Sequence, residues 1–352
     1  MARKNHAKCG LRTLSCLVGI GLFAVVAVVM TCPEALAQVR VIKISHASPP
    51  STPLHIAFER FKELVEARSN KRLEVKIFHS QQLMGQREAV EALQLGTLEM
   101  TGVPNGVAVA FANAFMLLDI PFQFENLNHA RTFIDRNGER FVLNELSGVG
   151  LVGLALWEQG YRNLATRNKP VESLADLKDM KIRTLPAPLH VLAWRAMGAN
   201  PTPMGWGQVY TSLQQGVVEA LEVPTYLITQ SKLDEVVKYV MTTRHIYDPL
   251  AILASKKWFD ALPADLQRIV KDTARELTAV NRSLDQKDHE EAEALLPKRG
   301  VKLIVLDNKV RREFAVKAQP PVIEEIRHRI GNDKVNEWLA SVEQTKRDLK
   351  IE

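Results

Sequence analysis

Cysteine is almost missing from this chain. Three occur in 352 residues, Cys9, Cys16 and Cys32, and all lie within the first 37 positions. If that leading stretch is removed, what remains has no disulfide, no thiol nucleophile and no cysteine-bound metal. Other chemical signatures are also lacking. There is no His-Glu-x-x-His zinc helix and no Gly-x-Ser-x-Gly nucleophile elbow. The histidines His46, His55, His129 and His245 are scattered as packed polar residues. His289 sits in an acidic run and reads as solvated, and the pairs Glu290-Glu291 and Glu324-Glu325 read as exposed helix faces. Nothing supplies a nucleophile with its base. Residues 148–153, Gly-Val-Gly-Leu-Val-Gly, have dinucleotide-loop spacing, but a helical segment precedes them and a strand follows. That is the reverse of the order that presents a helix N-terminus to phosphate, so they form a turn. Repeats and low-complexity segments are absent.

The leading segment accounts for most of the charge as well. Arg3, Lys4, Lys8 and Arg12 precede an uncharged apolar run from Leu17 to Met30, and Ala35-Leu-Ala37 supplies small residues where a signal peptidase cuts. Cleavage is expected after Ala37. A retained anchor would need a run of ~20 apolar residues, and a lipid anchor on Cys32 is poorly served by Thr31 and Pro33. Removing four cations and Glu34 lowers the formal charge of +6 by three, so basicity is no argument for a nucleic-acid partner. No later stretch is long and apolar enough to span a bilayer.

Residues 38–352 suffice for two lobes. Strand-like segments fall at 39–45, 73–78, 98–103, 151–157 and 250–255. Helical ones fall at 54–67, 86–95, 128–146, 189–197 and 209–216. This alternation predicts an α/β fold with a mostly parallel sheet. From Leu262-Pro-Ala-Asp onward, Leu266, Ile269, Val270, Leu277, Val280 and Leu284 form one stripe that could run to Leu296. Two readings stand for so long a helix: an ordinary exposed helix with a solvated charge run, or a strut lying across two lobes.

Two arginines differ from the surface cations. Arg162 follows the apolar run 150–156, and Arg183 lies between Ile182 and Leu185-Pro-Ala-Pro. Both are expected where strands end, the place at which open α/β sheets bind ligands. A guanidinium is a planar, permanently charged fork that matches a carboxylate edge.

Residues 198–224, Gly-Ala-Asn-Pro-Thr-Pro-Met-Gly-Trp-Gly-Gln-Val-Tyr-Thr-Ser-Leu-Gln-Gln-Gly-Val-Val-Glu-Ala-Leu-Glu-Val-Pro, closely resemble the central signature of the extracytoplasmic solute receptors of TRAP transporters, the DctP family. Gln81-Gln-Leu-Met-Gly-Gln-Arg87, Leu118-Asp-Ile-Pro-Phe-Gln-Phe124, Leu177-Lys-Asp-Met-Lys-Ile-Arg183 and Leu262-Pro-Ala-Asp-Leu-Gln267 are similar to further motifs of that family, in the same order.

The resemblance implies a two-lobed periplasmic receptor, with a hinge and a long helix spanning both lobes, that closes on an organic acid anion and delivers it to a membrane permease. The expected lobes are 38–160 with 249–288, and 161–248 with 289–352. The family's carboxylate-binding arginine falls on Arg183 and its supporting arginine on Arg162. An aromatic wall falls on Trp206, where phenylalanine is more usual. Val223 stands where the family carries asparagine, which points to an apolar or flat ligand portion near Val223 and Trp206. Gln86, Pro104 and Asn105 are further candidate contacts. The implied partners are a small carboxylate, with glycerol-like or sugar-acid ligands also open through hydrogen bonds near Gln86, Pro104 and Asn105, and the TRAP permease subunits, with the receptor a monomer and with no cofactor, metal or nucleic acid. The rival readings are a periplasmic enzyme acting on an organic acid and a receptor that signals to a sensor.

Overall fold

The computed structural model describes residues 39–351. The expected signal segment, the expected cleavage point and all three cysteines lie outside the described residues. The chain opens with strand β1 (Arg40–Ser45), helix α1 (Pro53–Arg68), β2 (Leu73–Phe78), α2 (Gln86–Leu95) and β3 (Met100–Pro104). Then come α3 (Asn105–Ala108), α4 (Leu127–Phe141) and the long β4 (Leu151–Thr166). Next are β5 (Lys181–Thr184), α5 (Pro188–Ala196), β6 (Asn200–Pro203), α6 (Val209–Gln214), β7 (Ala220–Pro224) and α7 (Thr225–Gln230). The remainder is β8 (Tyr239–Ser255), α8 (Lys256–Asp260), α9 (Ala264–Leu295), β9 (Lys302–Ile304), α10 (Asn308–Ile330) and α11 (Asn332–Asp348). Local chemistry explains many of the boundaries. Thr52 caps α1 by accepting from the His55 amide ahead of Pro53. Gly96, at φ 78°, closes α2 in the left-handed conformation.

One nine-stranded sheet runs through the molecule in the order β2-β1-β3-β8-β4-β7-β5-β6, with β9 beside β8. It is mixed rather than mostly parallel. β1 pairs parallel with β2 and β3, and β5 with β6 and β7. β8 runs antiparallel to β3 and β4, and β4 antiparallel to β7. The parallel pairs belong to the helix-linked segments legible in the sequence. The antiparallel ones come from β4 and β8, two strands much longer than their apolar runs.

The strut reading of the long helix holds. α9 has 32 residues, about 48 Å at 1.5 Å per residue. Leu266, Val270, Ala274 and Leu277 pack in one apolar cluster with Phe58, Phe61 and Trp157. Ala292 and Leu296 pack in another with Tyr226 and Val240. Between them, Trp157 Nε1 donates to the Ala274 carbonyl at 2.8 Å, and the Glu158 amide donates to Asn281 Oδ1 at 2.6 Å. The C-terminal helices close the largest cluster. Phe314 and Trp338 join residues of α4 and α5, with Trp338 4.6 Å from Phe133 between ring centroids. The tail therefore touches both α4 and α5. Among the described residues no helix is long and apolar enough to cross a membrane, and no group of His, Asp or Glu side chains could hold a metal ion.

β4 is bent where it passes α9. Its register against β8 slips between Glu158 and Tyr161, so that Gln159 and Gly160 together face the single residue Asp248. This bulge needs glycine. Gly160 has φ +73°, and a Cβ there would lie 2.3 Å from Nε2 of His289. His289, expected to be solvated, is tucked under the bulge with its Nε2 3.2 Å from the Gln159 carbonyl. Gly160→Ala should lose more than about 1 kcal/mol, because alanine resists positive φ even where space is free. A urea midpoint equal to that of the wild type would show that the bulge is not constrained in this way.

Candidate functional site

Four strands, β4, β5, β7 and β8, bring the charged residues together. Arg162 lies in the middle of β4, not at a strand end as expected, because the ladder continues through it to Thr166. Arg183 is the third residue of β5, and Glu222 and Val223 lie on β7. Arg162 and Arg183 are both fully buried, yet their surroundings differ.

Every arm of Arg162 is engaged. Nε donates to Glu222 Oε2, Nη1 to Asp248 Oδ2, and Nη2 to the Glu222 carbonyl at 2.7 Å. Burial disfavours its charge, but Glu222 and Asp248 more than offset that and hold the group above its ordinary range. Burial likewise works against the Glu222 carboxylate, yet Arg162 and His190 hold it well below the usual carboxylate range. The second oxygen of Glu222 is also taken. It accepts from the Leu185 amide at 3.2 Å and lies 3.4 Å from His190 Nδ1.

Arg183 has no carboxylate of its own. Nε and Nη2 both donate to the Met204 carbonyl, at 3.2 and 2.9 Å, and Nη1 is buried without a protein partner. Burial, reinforced by the Arg162 charge and countered in part by Glu222, pushes the guanidinium down to about 9. It remains a cation at neutral pH, but one short of an anion. Its Cζ sits 5.6 Å from the Trp206 ring, within cation–π range.

These groups border a small cavity of about 20 Å³. Arg183, Arg162, Trp206, Val223 and Gln86 all line it, so five of the six expected residues converge. Asn105 stands behind the wall that Pro104 forms. Its Nδ2 donates to Asp119 Oδ1 at 2.6 Å and to the Phe115 carbonyl at 3.0 Å, and its amide donates to Asp248. Sequence reasoning missed Ser48 and Gln159 in the lining, and the acids Glu222 and Asp248 behind it. Gln159 carried one signal, its place beside Gly160 in a polar break within an apolar strand. A wider surface groove beside α9 carries Arg244 but is also lined by Asp285, Glu290 and Glu293, a poor setting for an anion.

The model of the DctP family, bacterial extracellular solute-binding protein family 7, matches residues 44–328. The chain belongs to this family. A solute-binding protein of Verminephrobacter eiseniae is 33% identical over 79% of this chain and 83% of its own. The 2,3-diketo-L-gulonate-binding periplasmic protein YiaO of Escherichia coli is 30% identical over 76% and 82%. Among solved structures, the sugar acid binding protein DctPAm from Advenella mimigardefordensis, in complex with galactonate, superposes with a TM-score of 0.83 at 28% identity, covering 87% of this chain and 98% of its own. The fold is thus the two-lobed one of TRAP solute-binding proteins.

In this DctP-family chain His190 completes the charge balance. Its Nε2 lies 3.4 Å from Asp119 and its Nδ1 3.4 Å from Glu222. Burial would lower its pKa, but Asp119 and Glu222 overcome that and raise it to about 10. A folded pKa above the unfolded value of about 6.5 gives stability that is complete below about 6.5 and lost as pH rises towards 10. The stability advantage of the wild type over His190→Gln should therefore be greatest near pH 6 and shrink steadily to pH 10, read by chemical denaturation. A gap independent of pH would mean that the imidazole is neutral.

Proposed function

We propose that the protein is a periplasmic receptor that binds a small organic-acid anion, with Arg183 as the carboxylate anchor, and hands it to a TRAP permease. The unpartnered Nη1 of Arg183, on a residue that lines a cavity in a member of a solute-binding family, carries this reading. Arg162 acts as a positioning residue, since its fork is already occupied by Glu222 and Asp248. The ligand's carbon skeleton rests against Trp206, Val223, Leu185 and Leu227, the apolar side of the same cavity. The relatives that bind 2,3-diketo-L-gulonate and galactonate support an acid as the ligand. An enzyme acting on the same acid is less well supported. Ser48 is the one hydroxyl side chain in the lining, and neither histidine nor carboxylate lines the cavity beside it. Entry of the ligand would close the cleft, exclude water and shift the population to the closed state that the permease meets.

Co-purified ligand identified by mass spectrometry, followed by titration calorimetry, tests the reading. Arg183→Ala should bind that acid more than tenfold more weakly, a loss of roughly 2–5 kcal/mol, because a carboxylate buried without its partner is costly. Affinity close to that of the wild type would remove Arg183 from the anchor role. Arg162→Ala should act differently. It leaves Glu222 and Asp248 uncompensated and should cost roughly 3–5 kcal/mol of folding stability, measured without any ligand. A variant as stable as the wild type would show that the two acids do not depend on it.

A further inference from the structure

One glycine stands where neither backbone angle nor local preference asks for it. Gly106 is the second residue of α3, is buried, and has no left-handed φ. Within a helical turn alanine is the more favourable residue. The close approach of another segment explains the glycine. A Cβ at this position would lie 3.1 Å from Ala187 Cβ, 3.2 Å from Leu185 Cδ1 and 3.2 Å from His190 Nε2. Those residues belong to the turn from β5 into α5, whereas Gly106 follows β3. In the sheet, β8, β4 and β7 lie between β3 and β5. The same contact divides two cavities. Pro104 and Leu185 line the small inner cavity beside Arg183. Val107 and Pro186 line an outer one of about 430 Å³, whose wall includes the exposed Arg87, Glu88 and Gln208. Gly106 itself lines neither.

We infer that Gly106 is a positioning residue for ligand binding: its missing Cβ lets the β3 and β5 sides of the cleft meet and seal the inner cavity from the outer one. The inference rests on the receptor reading above and deepens it. An added Cβ has little room to be absorbed locally. Ala187 has no rotamer to change, and His190 is held between Asp119 and Glu222 at 3.4 Å each. α3 is fixed from its own side, because Asn105 donates to Asp119, to the Phe115 carbonyl and to Asp248. Leu185 could turn only by moving within the wall of the inner cavity. In so tight a contact the extra methyl group pushes the two sides apart. Before a ligand enters, the sides stand apart and that methyl group meets nothing. Alanine is then harmless or favourable in the free receptor and costly in the complex, and the lost closed population lowers the apparent affinity. A methyl group that overfills a permanent core would instead destabilise both states.

Gly106→Ala tests this through its opposite effects. Without any acid, its urea midpoint should equal or exceed that of the wild type. In titration calorimetry with galactonate, glucuronate and succinate, each acid that binds the wild type should bind the variant at least tenfold more weakly. Stopped-flow tryptophan fluorescence should place that loss in faster dissociation rather than slower association. Adding Ala187→Gly, which removes the nearest atom, should restore part of the affinity. Closure can also be read directly. Residues 39–351 contain no cysteine, so a pair introduced by Gln81→Cys and Gly207→Cys has no other thiol in the chain to react with. These positions face each other across the outer cavity, a Cβ on Gly207 lying 3.5 Å from Gln81 Nε2. Disulfide formation in that pair should slow when Gly106→Ala is added. A lower midpoint in the ligand-free variant would overturn the inference, as would wild-type affinity or an unchanged rate of disulfide formation. In those cases the anchor reading stands, provided Arg183→Ala still weakens binding. If none of the three acids binds the wild type, the carboxylate reading loses its support, and the disulfide rates alone decide the role of Gly106.

Discussion

The ion group Arg162–Glu222–Asp248 is the constraint on which the centre of this molecule depends. It ties three neighbouring strands, β4, β7 and β8, through side chains that no water reaches. Two carboxylates cannot stay ionised in such a place without a cation. An arginine suits the position because one planar group serves both acids and a backbone carbonyl at once. Whether the group as a whole is more stabilising than an apolar replacement is secondary. Once the acids are inside, removal of one partner is far costlier than the group's net contribution.

That arrangement decides what Arg183 can do. Glu222 is close enough to influence it, yet its oxygens are claimed by Arg162, the Leu185 amide and His190. Asp248 is claimed by Arg162 and the Asn105 amide. Arg183 is left with one carbonyl and a free Nη1. The lack of a counter-charge at Arg183 is therefore a property of the whole cluster rather than of one residue. The cluster satisfies its other charges and leaves Arg183 without a counter-charge, the one that a carboxylate would supply under the proposed function.

How much of this was legible follows from where the polar residues sit. The stripe of α9 could be read because its apolar residues recur with helical period on both sides of the charge run, and each end finds a separate cluster. β4 and β8 were cut short in the reading because Glu158, Gln159, Arg162, Asp248 and His245 interrupt their apolar pattern. Periodicity treats a polar residue as exposed, whereas these are buried, with Arg162 paired to Asp248 and Glu158 to Arg131 and Tyr247. The resemblance brought five of the expected residues to one cavity. It put Asn105 one layer too far forward, since its amide is turned to Asp119 rather than to the cavity. His289 was misjudged for the same reason as β4. A histidine among acids looks solvated until Gly160 is seen to open a place for it.

The topology also locates the motion that a receptor needs. Ser48, Gln86 and Pro104 reach the cavity from the β1–β3 side of the sheet, and Arg183, Trp206 and Val223 from the β5–β7 side. In the strand order, β8 and β4 alone stand between these two groups. Any separation of the cavity walls must therefore be taken up in β4 and β8, with α9 alongside. β4 is already out of register between Glu158 and Tyr161 and again between Arg162 and Leu164. At those points ladder bonds are missing before any movement, so a change of backbone angle costs less there than in an intact ladder. The bulge that places Gln159 in the cavity wall is thus also a place where the strand bends easily, so the wall and the angle between the two halves share one stretch of backbone.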